Sequence, residues 1–186
     1  MVPGQAQITI GVANTPTVVN TYAPVTNISG TTVSIGASTG FAHTFAVGNK
    51  VLIVQMTGSL GENGGKFEFA NISAVSGNDI TLAQLNNTYD FATERVQLIW
   101  VPYDPIGITT LANILAKPWD GATGGIVCVL TDGTLTLNGA VIADKAGFTG
   151  NEAIGETIWG EGVYGGGGAG MGGGGGYGAN SMNAAG

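Results

Sequence analysis

Four aspartates, Asp104, Asp120, Asp132 and Asp144, carry the oxygen chemistry a hard cation needs, since Ca2+ takes several carboxylate and carbonyl ligands. Their spacing matches no calcium loop, and a turn aspartate is equally well used by its own backbone amides. Ca2+ is therefore the one cofactor the chain offers for test, and no metal ligand set is assigned. Glycoside hydrolysis would need a pair of carboxylates. Glu62, Glu68, Glu94 and Asp104 are available, but nothing singles out two of them. Cys128, the single cysteine, sits in the apolar run GGIVCVL. It reads as a small core residue rather than a thiolate, which wants an electropositive and partly exposed setting. His43, the single histidine, lies in FAHTF with no acidic or cysteine cluster beside it, so it reads as a loop or surface residue. The segment TGSLGENGG, residues 57–65, lacks the Gly-Lys-Ser/Thr of a phosphate loop and reads as a hairpin or Ω-type loop. No catalytic residue is expected, and the chain is read as a non-enzyme.

Composition narrows the partners. Net charge is −7, and the five cations, Lys50, Lys66, Arg95, Lys117 and Lys145, are scattered. Displacing counterions from phosphate requires clustered cations, which excludes a nucleic-acid binder. No apolar run reaches the roughly 18 to 20 residues needed to cross a bilayer as a helix. Only 9% of residues are charged while 44% are apolar, so a packed core is available and disorder is not the expectation over residues 1–150. The start, MVPGQAQITIG, has no basic region followed by an apolar one. Either no signal peptide is present or another start has replaced it.

The elements that must position these residues read as strands. β-branched residues alternate in Gln7–Ile10, Thr17–Val19 and Thr32–Ile35, punctuated by Gly, Asn and Pro. Lys50–Met56 is apolar on both faces and is placed centrally in a sheet. Lys66–Ala70 alternates, Ile80–Leu82 extends after a turn, and Arg95–Val101 adds RVQLIWV. Buried positions are expected at Val51, Ile53, Phe67, Phe69, Leu98, Trp100, Val127 and Val129. Leu111–Ala116 is the single helical candidate, cut short by Pro118, and equally a strand crossing between sheets. GTTVSIG, GNDITLA and GTLTLNG share a form that reads as a recurrent strand start rather than a solenoid repeat. The expected fold is all-β, an antiparallel sandwich or barrel-like domain followed by an extended glycine-rich segment. The expected division is 1–116, a β-rich domain; 117–150, a turn-rich β segment packed on it; and 151–186, glycine-rich and continuing past Gly186.

Residues 117–150 organise the rest. Ile126–Leu130, Thr134–Leu137 and Ala140–Ala143 are apolar runs separated by Asp132-Gly133 and Asn138-Gly139. Asp-Gly and Asn-Gly supply the positive φ of tight hairpin turns, so three strands folding back on one another are expected. Trp119 is expected to close one end of the core, with Asp120 accepting amide hydrogen bonds across a turn. A carbohydrate-stacking role for Trp119 is the sharper alternative. Beyond Gly160 the chain is dominated by glycine, punctuated by Tyr164, Met171 and Tyr177. Two readings stay open: a flexible linker, or an extended threefold helix whose amides must find partners in other segments or other copies. In the second, Trp119 and Phe148 anchor the exit, and Trp119, Asp120, Phe148, Tyr164 and Tyr177 are candidate ligand or assembly contacts.

The ordered series VNTYAPVT, FAVGNKVLIVQMTG, FEFANISAVSGNDITL, VQLIWVPYD and KPWDGATGGIVCVLTDGTLTLNGAVIADKAGFTGN, followed by the glycine tail, resembles the amino-terminal region of large surface proteins of gliding bacteria. These include adventurous gliding motility proteins and adhesin-like proteins with sorting signals. The most specific part is the Pro118–Gly125 block together with GTLTLNG and the Gly147–Gly150 ending. The loop at Thr57–Gly65 is shorter here than in many members. The resemblance implies secretion to the cell surface, β-rich architecture and a structural role in adhesion, motility or a filament, with surface glycans as possible partners, and it supplies no catalytic residues. The alternative function is a phage or contractile-tail fibre component with a polyglycine tip.

Overall fold

A computed structural model describes residues 7–58 and 64–148. Two short strands come first, β1 (Ile8–Ile10) and β2 (Thr17–Val18). Next are β3 (Thr21–Ser29), β4 (Thr32–Ile35), β5 (Thr39–Gly40), β6 (Lys50–Gln55), β7 (Phe67–Ser76), β8 (Asp79–Leu82) and β9 (Val96–Val101). The last group is β10 (Tyr103–Asp104), β11 (Gly107–Thr110), β12 (Ile114–Leu115), β13 (Leu130–Thr131), β14 (Thr134–Leu137) and β15 (Val141–Ile142). The fold is all-β, with no helix among the described residues. Leu111–Ala116, the helical candidate, contains β12.

β3 to β9 form a seven-stranded antiparallel sheet. Pairing runs β3–β4–β8–β7–β6–β9 and returns to β3, so six of its strands close into a barrel. Closure depends on two long strands. β3 pairs β9 through Thr21–Pro24 and β4 through Val25–Ser29; β7 pairs β6 through Phe67–Asn71 and β8 through Ile72–Ser76. Each carries a register shift, between Val25 and Asn27 and between Ile72 and Ala74. An unpaired residue at such a bulge bends the strand and lets the sheet curl.

Period-two alternation explains how β6 and β9 face two cores. Val51, Ile53, Val96 and Leu98 point into the barrel with Ala23, Val33, Ile72 and Leu82. Leu52, Val54, Met56, Ile99 and Val101 point outward into a second cluster with Tyr22. Strands apolar on both faces fit a wall covered on both sides. Two expected core residues do not belong there. Phe67 is 58% exposed and Phe69 36%, because in β7 it is Ala70 and Ile72 that point inward. The phenyl rings lie on the outer wall, edge to face at 6.4 Å. Trp100, Val127 and Val129 are half-buried rather than buried.

The remaining strands form three parallel ladders: β1–β11–β14, β2–β12–β15 and β10–β13. They are the sides of three stacked coils. Coil one holds β1 and β2; coil two holds β10, β11 and β12; coil three holds β13, β14 and β15. Tyr103 pairs Leu130, Ile108 pairs Leu135 and Ile114 pairs Val141, a constant offset of 27 residues between coils two and three. The barrel is inserted between coils one and two. Its ends lie together because Thr21 pairs antiparallel with Trp100, so the insertion interrupts the stack with little separation of the flanking strands. Residues 103–115, grouped with the preceding strands by the sequence reading, thus pair strand for strand with 130–142.

The hairpins expected at Asp132-Gly133 and Asn138-Gly139 are not formed. β13, β14 and β15 pair with strands of coil two and not with one another. Neither Gly133 nor Gly139 has a positive φ. They are glycine for another reason: a Cβ on Gly133 would lie 1.7 Å from the Ile106 carbonyl oxygen, and one on Gly139 would lie 2.5 Å from Ala112 C and Asn113 N. These corners of coil three pass directly over those of coil two, and only glycine allows so close an approach. GTLTLNG is therefore a coil segment, whereas GTTVSIG and GNDITLA supply β4 and β8, which pair in the barrel.

Candidate interaction site

The block Lys117–Gly125 is a loop closed on itself. Asp120 Oδ1 accepts the amides of Ala122, at 2.9 Å, and Thr123, at 2.8 Å. Its Oδ2 accepts from Lys117 Nζ and, at 3.2 Å, from Thr123 Oγ1. Lys117 Nζ also donates to the Thr123 carbonyl at 3.1 Å. Burial would raise the Asp120 carboxyl, but Lys117 and the Thr123 and Ala122 amides outweigh it and hold it well below the usual carboxylate range. The turn role expected of Asp120 is thus the one its geometry shows. Gly124 has φ +105°, and a Cβ there would meet the Pro118 carbonyl oxygen at 2.6 Å.

The loop and the chain after it lie against the outer wall of the barrel, held by three polar residues of that wall. Gln97 exchanges two hydrogen bonds with Gly124: Nε2 to the carbonyl at 3.0 Å and the Gly124 amide to Oε1 at 2.9 Å. Asn20 Nδ2 donates to the Cys128 carbonyl at 2.6 Å while the Cys128 amide donates to Asn20 Oδ1 at 2.9 Å. The Tyr22 hydroxyl donates to the Ile126 carbonyl. Burial pushes that phenol up to about 12, so it remains a donor at neutral pH. Ile126–Val129 belongs to no strand and crosses the wall as a strap, with its Ile126 carbonyl and Cys128 amide and carbonyl bonded by these side chains. Beneath it lie Leu52, Val54, Ile99 and Val101, with Trp119, Ile126, Cys128, Leu130 and Phe148 packed on top.

Trp119 and Phe148 meet edge to face at 5.0 Å, and the Trp119 amide donates to the Ala146 carbonyl at 3.1 Å. The structure thus brings together Trp119, Asp120 and Phe148 at the end of the strap. Tyr164 and Tyr177 lie outside the described residues, as do Glu62 and the glycine-rich segment. The indole is half-buried in this apolar cluster, the setting of a packing residue.

The other candidates are dispersed. Asp104 Oδ1 accepts the amides of Ile106 and Gly107, Asp132 Oδ2 accepts the Tyr103 hydroxyl at 2.7 Å, and Glu68 accepts the amides of Asn86 and Asn87. Among the described residues no three His, Cys, Asp or Glu side chains converge as a metal set. Cys128, a residue of the strap itself, is half-buried, and burial pushes its thiol up to about 11. His43 stacks on Trp100 at 3.7 Å and 11°, beside Phe41. It lies half-buried in the loop between β5 and β6, as the sequence reading placed it, and burial lowers its pKa.

Sequence reasoning missed the three anchors, Asn20, Tyr22 and Gln97. A signal was present for one of them: Gln97 is a polar residue inside the apolar run VQLIWV, and a buried amide needs partners. Comparison with protein-family models, with curated proteins and with solved structures found no match.

Proposed function

We propose that this chain is a non-enzymatic structural module of a large extracellular, cell-surface or filament-forming protein, acting in adhesion. The observation that supports the reading is the insertion of a closed barrel between the first and second coils of a parallel stack. Stacked coils extend by repetition and carry insertions on their faces, which suits a stem bearing a head. The functionally suggestive side chains of the loop, Lys117, Asp120 and Thr123, are spent on one another, which suits a brace better than a reaction centre.

Antibodies raised against residues 19–101 test the location in the native host. Brief protease treatment of intact cells should remove the epitope. An epitope lost only after the cells are opened would overturn the surface assignment. Deletion of residues 19–101 from the chromosomal copy should then reduce attachment to glass or to glycan-coated surfaces without changing growth.

A further inference from the structure

The stack of coils has two ends, and each leaves positions of core type open. At the coil-three end, Leu135 is 42% exposed although Ile108, its partner in coil two, is 0% exposed. Val141 is 51% exposed over Ile114 at 3%. Leu137, paired with the buried Thr110, is likewise exposed. At the coil-one end, Ile8 and Ile10 stand in the columns of Leu135 and Leu137 and are half-buried rather than buried. Among the described residues β1 and β14 each pair with β11 alone, and β2 and β15 each pair with β12 alone. Both ends thus present unpaired strand edges, which serve as templates for further strands. Charges and prolines commonly guard such edges, yet β1, β2, β14 and β15 contain neither.

The two ends also match one another. β1 and β14 lie on opposite sides of β11, β2 and β15 lie on opposite sides of β12, and every one of these pairings is parallel. A shift along the stack therefore brings the β1 and β2 edges of one copy beside the β14 and β15 edges of another, with strand direction kept on both sides. We propose that the open edge of coil three is taken by coil one of a second copy of this chain, head to tail. The parallel ladders then run on from copy to copy. In the register set by β11 and β12, Ile8 of the second copy covers Leu135, Ile10 covers Leu137 and Thr17 covers Val141. The contact joins unlike surfaces, so each added copy offers a fresh edge and the assembly grows beyond a pair. Two like ends joined by a two-fold axis would stop at a dimer. This assembly follows from the matching ends of the stack and is independent of the surface location tested above.

Cysteine cross-linking of the full chain tests the contact. Thr9 and Thr136 are exposed and share a column through Thr109. Between neighbouring copies they would sit on adjacent strands, roughly 4.8 Å apart, within disulfide reach. Inside one copy β11 stands between them, and a span of two strand spacings is too long for a disulfide. Oxidation of the double variant Thr9→Cys, Thr136→Cys should therefore give a ladder of covalent dimers, trimers and larger species on non-reducing gels. Each single variant alone should stay uncrosslinked, as should the unaltered chain with Cys128 as its free cysteine. An equal mixture of the two single variants should stop at dimers. Sedimentation of the unaltered chain is the independent measurement, and its mass should rise past two copies between about 10 μM and about 1 mM. A monomeric mass throughout that range would overturn the proposal. Dimers from either single variant alone would overturn it in favour of like ends meeting on a two-fold axis. A rising mass with an uncrosslinked double variant would overturn the register.

Discussion

The side chain of Gln97 and the peptide group of Gly124 are joined by two reciprocal hydrogen bonds, at 3.0 and 2.9 Å, with both residues buried. The carboxamide acts as a strand partner for a single peptide and fixes where the loop of coil two meets the barrel wall. Replacing it by a shape-matched apolar residue would leave a buried N–H and a buried C=O without partners.

Gln97→Met should therefore lower the unfolding free energy by about 3 kcal/mol, since each unsatisfied buried group costs about 1–3 kcal/mol. Gln97→Glu should be no better, because it buries a carboxylate facing the Gly124 carbonyl. Urea denaturation followed by tryptophan fluorescence measures both. A loss below about 1 kcal/mol for Gln97→Met would mean that the pair does not carry this interface.

Glycines that look alike in sequence should respond differently. Gly77 and Gly133 both follow strands and both precede an apolar–Thr–apolar triplet. Gly77 has φ +58° with nothing near its missing Cβ, so Gly77→Asn should cost little, Asn being tolerant of that conformation. Gly133 has no space at all, and Gly133→Asn should cost about 3 kcal/mol or prevent coil three from docking. Hairpin turns at both sites would give similar, small effects, so paired thermal melts decide between the two geometries.

Acid should destabilise the fold through Asp120 and Glu68. For Glu68, burial would raise the carboxyl, but the hydrogen bonds from Asn86, Asn87 and Tyr89 together lower it; Asp120 is lowered by Lys117 and its loop amides. With folded values below the ordinary 4.5 and 3.8, both contribute stability that is complete above those values. It is lost as pH falls through the folded ones, because the unfolded chain then binds more protons. The melting temperature should hold steady from neutrality to about pH 5 and fall below about pH 4. The double variant Asp120→Asn, Glu68→Gln should start lower and fall less steeply; an unchanged acid slope would remove both residues from the account.

Cys128 should be slow to react. Raised to about 11 from its ordinary 9.0, the thiol holds roughly a hundredfold less thiolate near pH 8 than an unshifted one. Ellman's reagent should modify it at less than about a hundredth of its rate in denaturant. Rapid modification of the folded chain would show that the strap over Tyr22 and Val54 opens readily.

Composition and periodicity were enough for the class of fold. Alternating β-branched residues with few good helix formers leave the chain little choice but strands, and β6 and β9, apolar on both faces, could sit only in a wall covered on both sides. Asp120 was legible as a turn residue because its chemistry is local and acts within three positions of itself. What joins distant segments was not. That Ile8, Ile108 and Leu135 share one column, with a whole barrel between the first and second, follows from backbone pairing, which leaves no mark on residue type. Gly133 and Gly139 show the limit most clearly. A glycine has no side chain, and the sequence records that absence identically whether a turn needs positive φ or a neighbouring coil needs the space. Only the tertiary structure, by setting Ile106 and Ala112 against them, decides which.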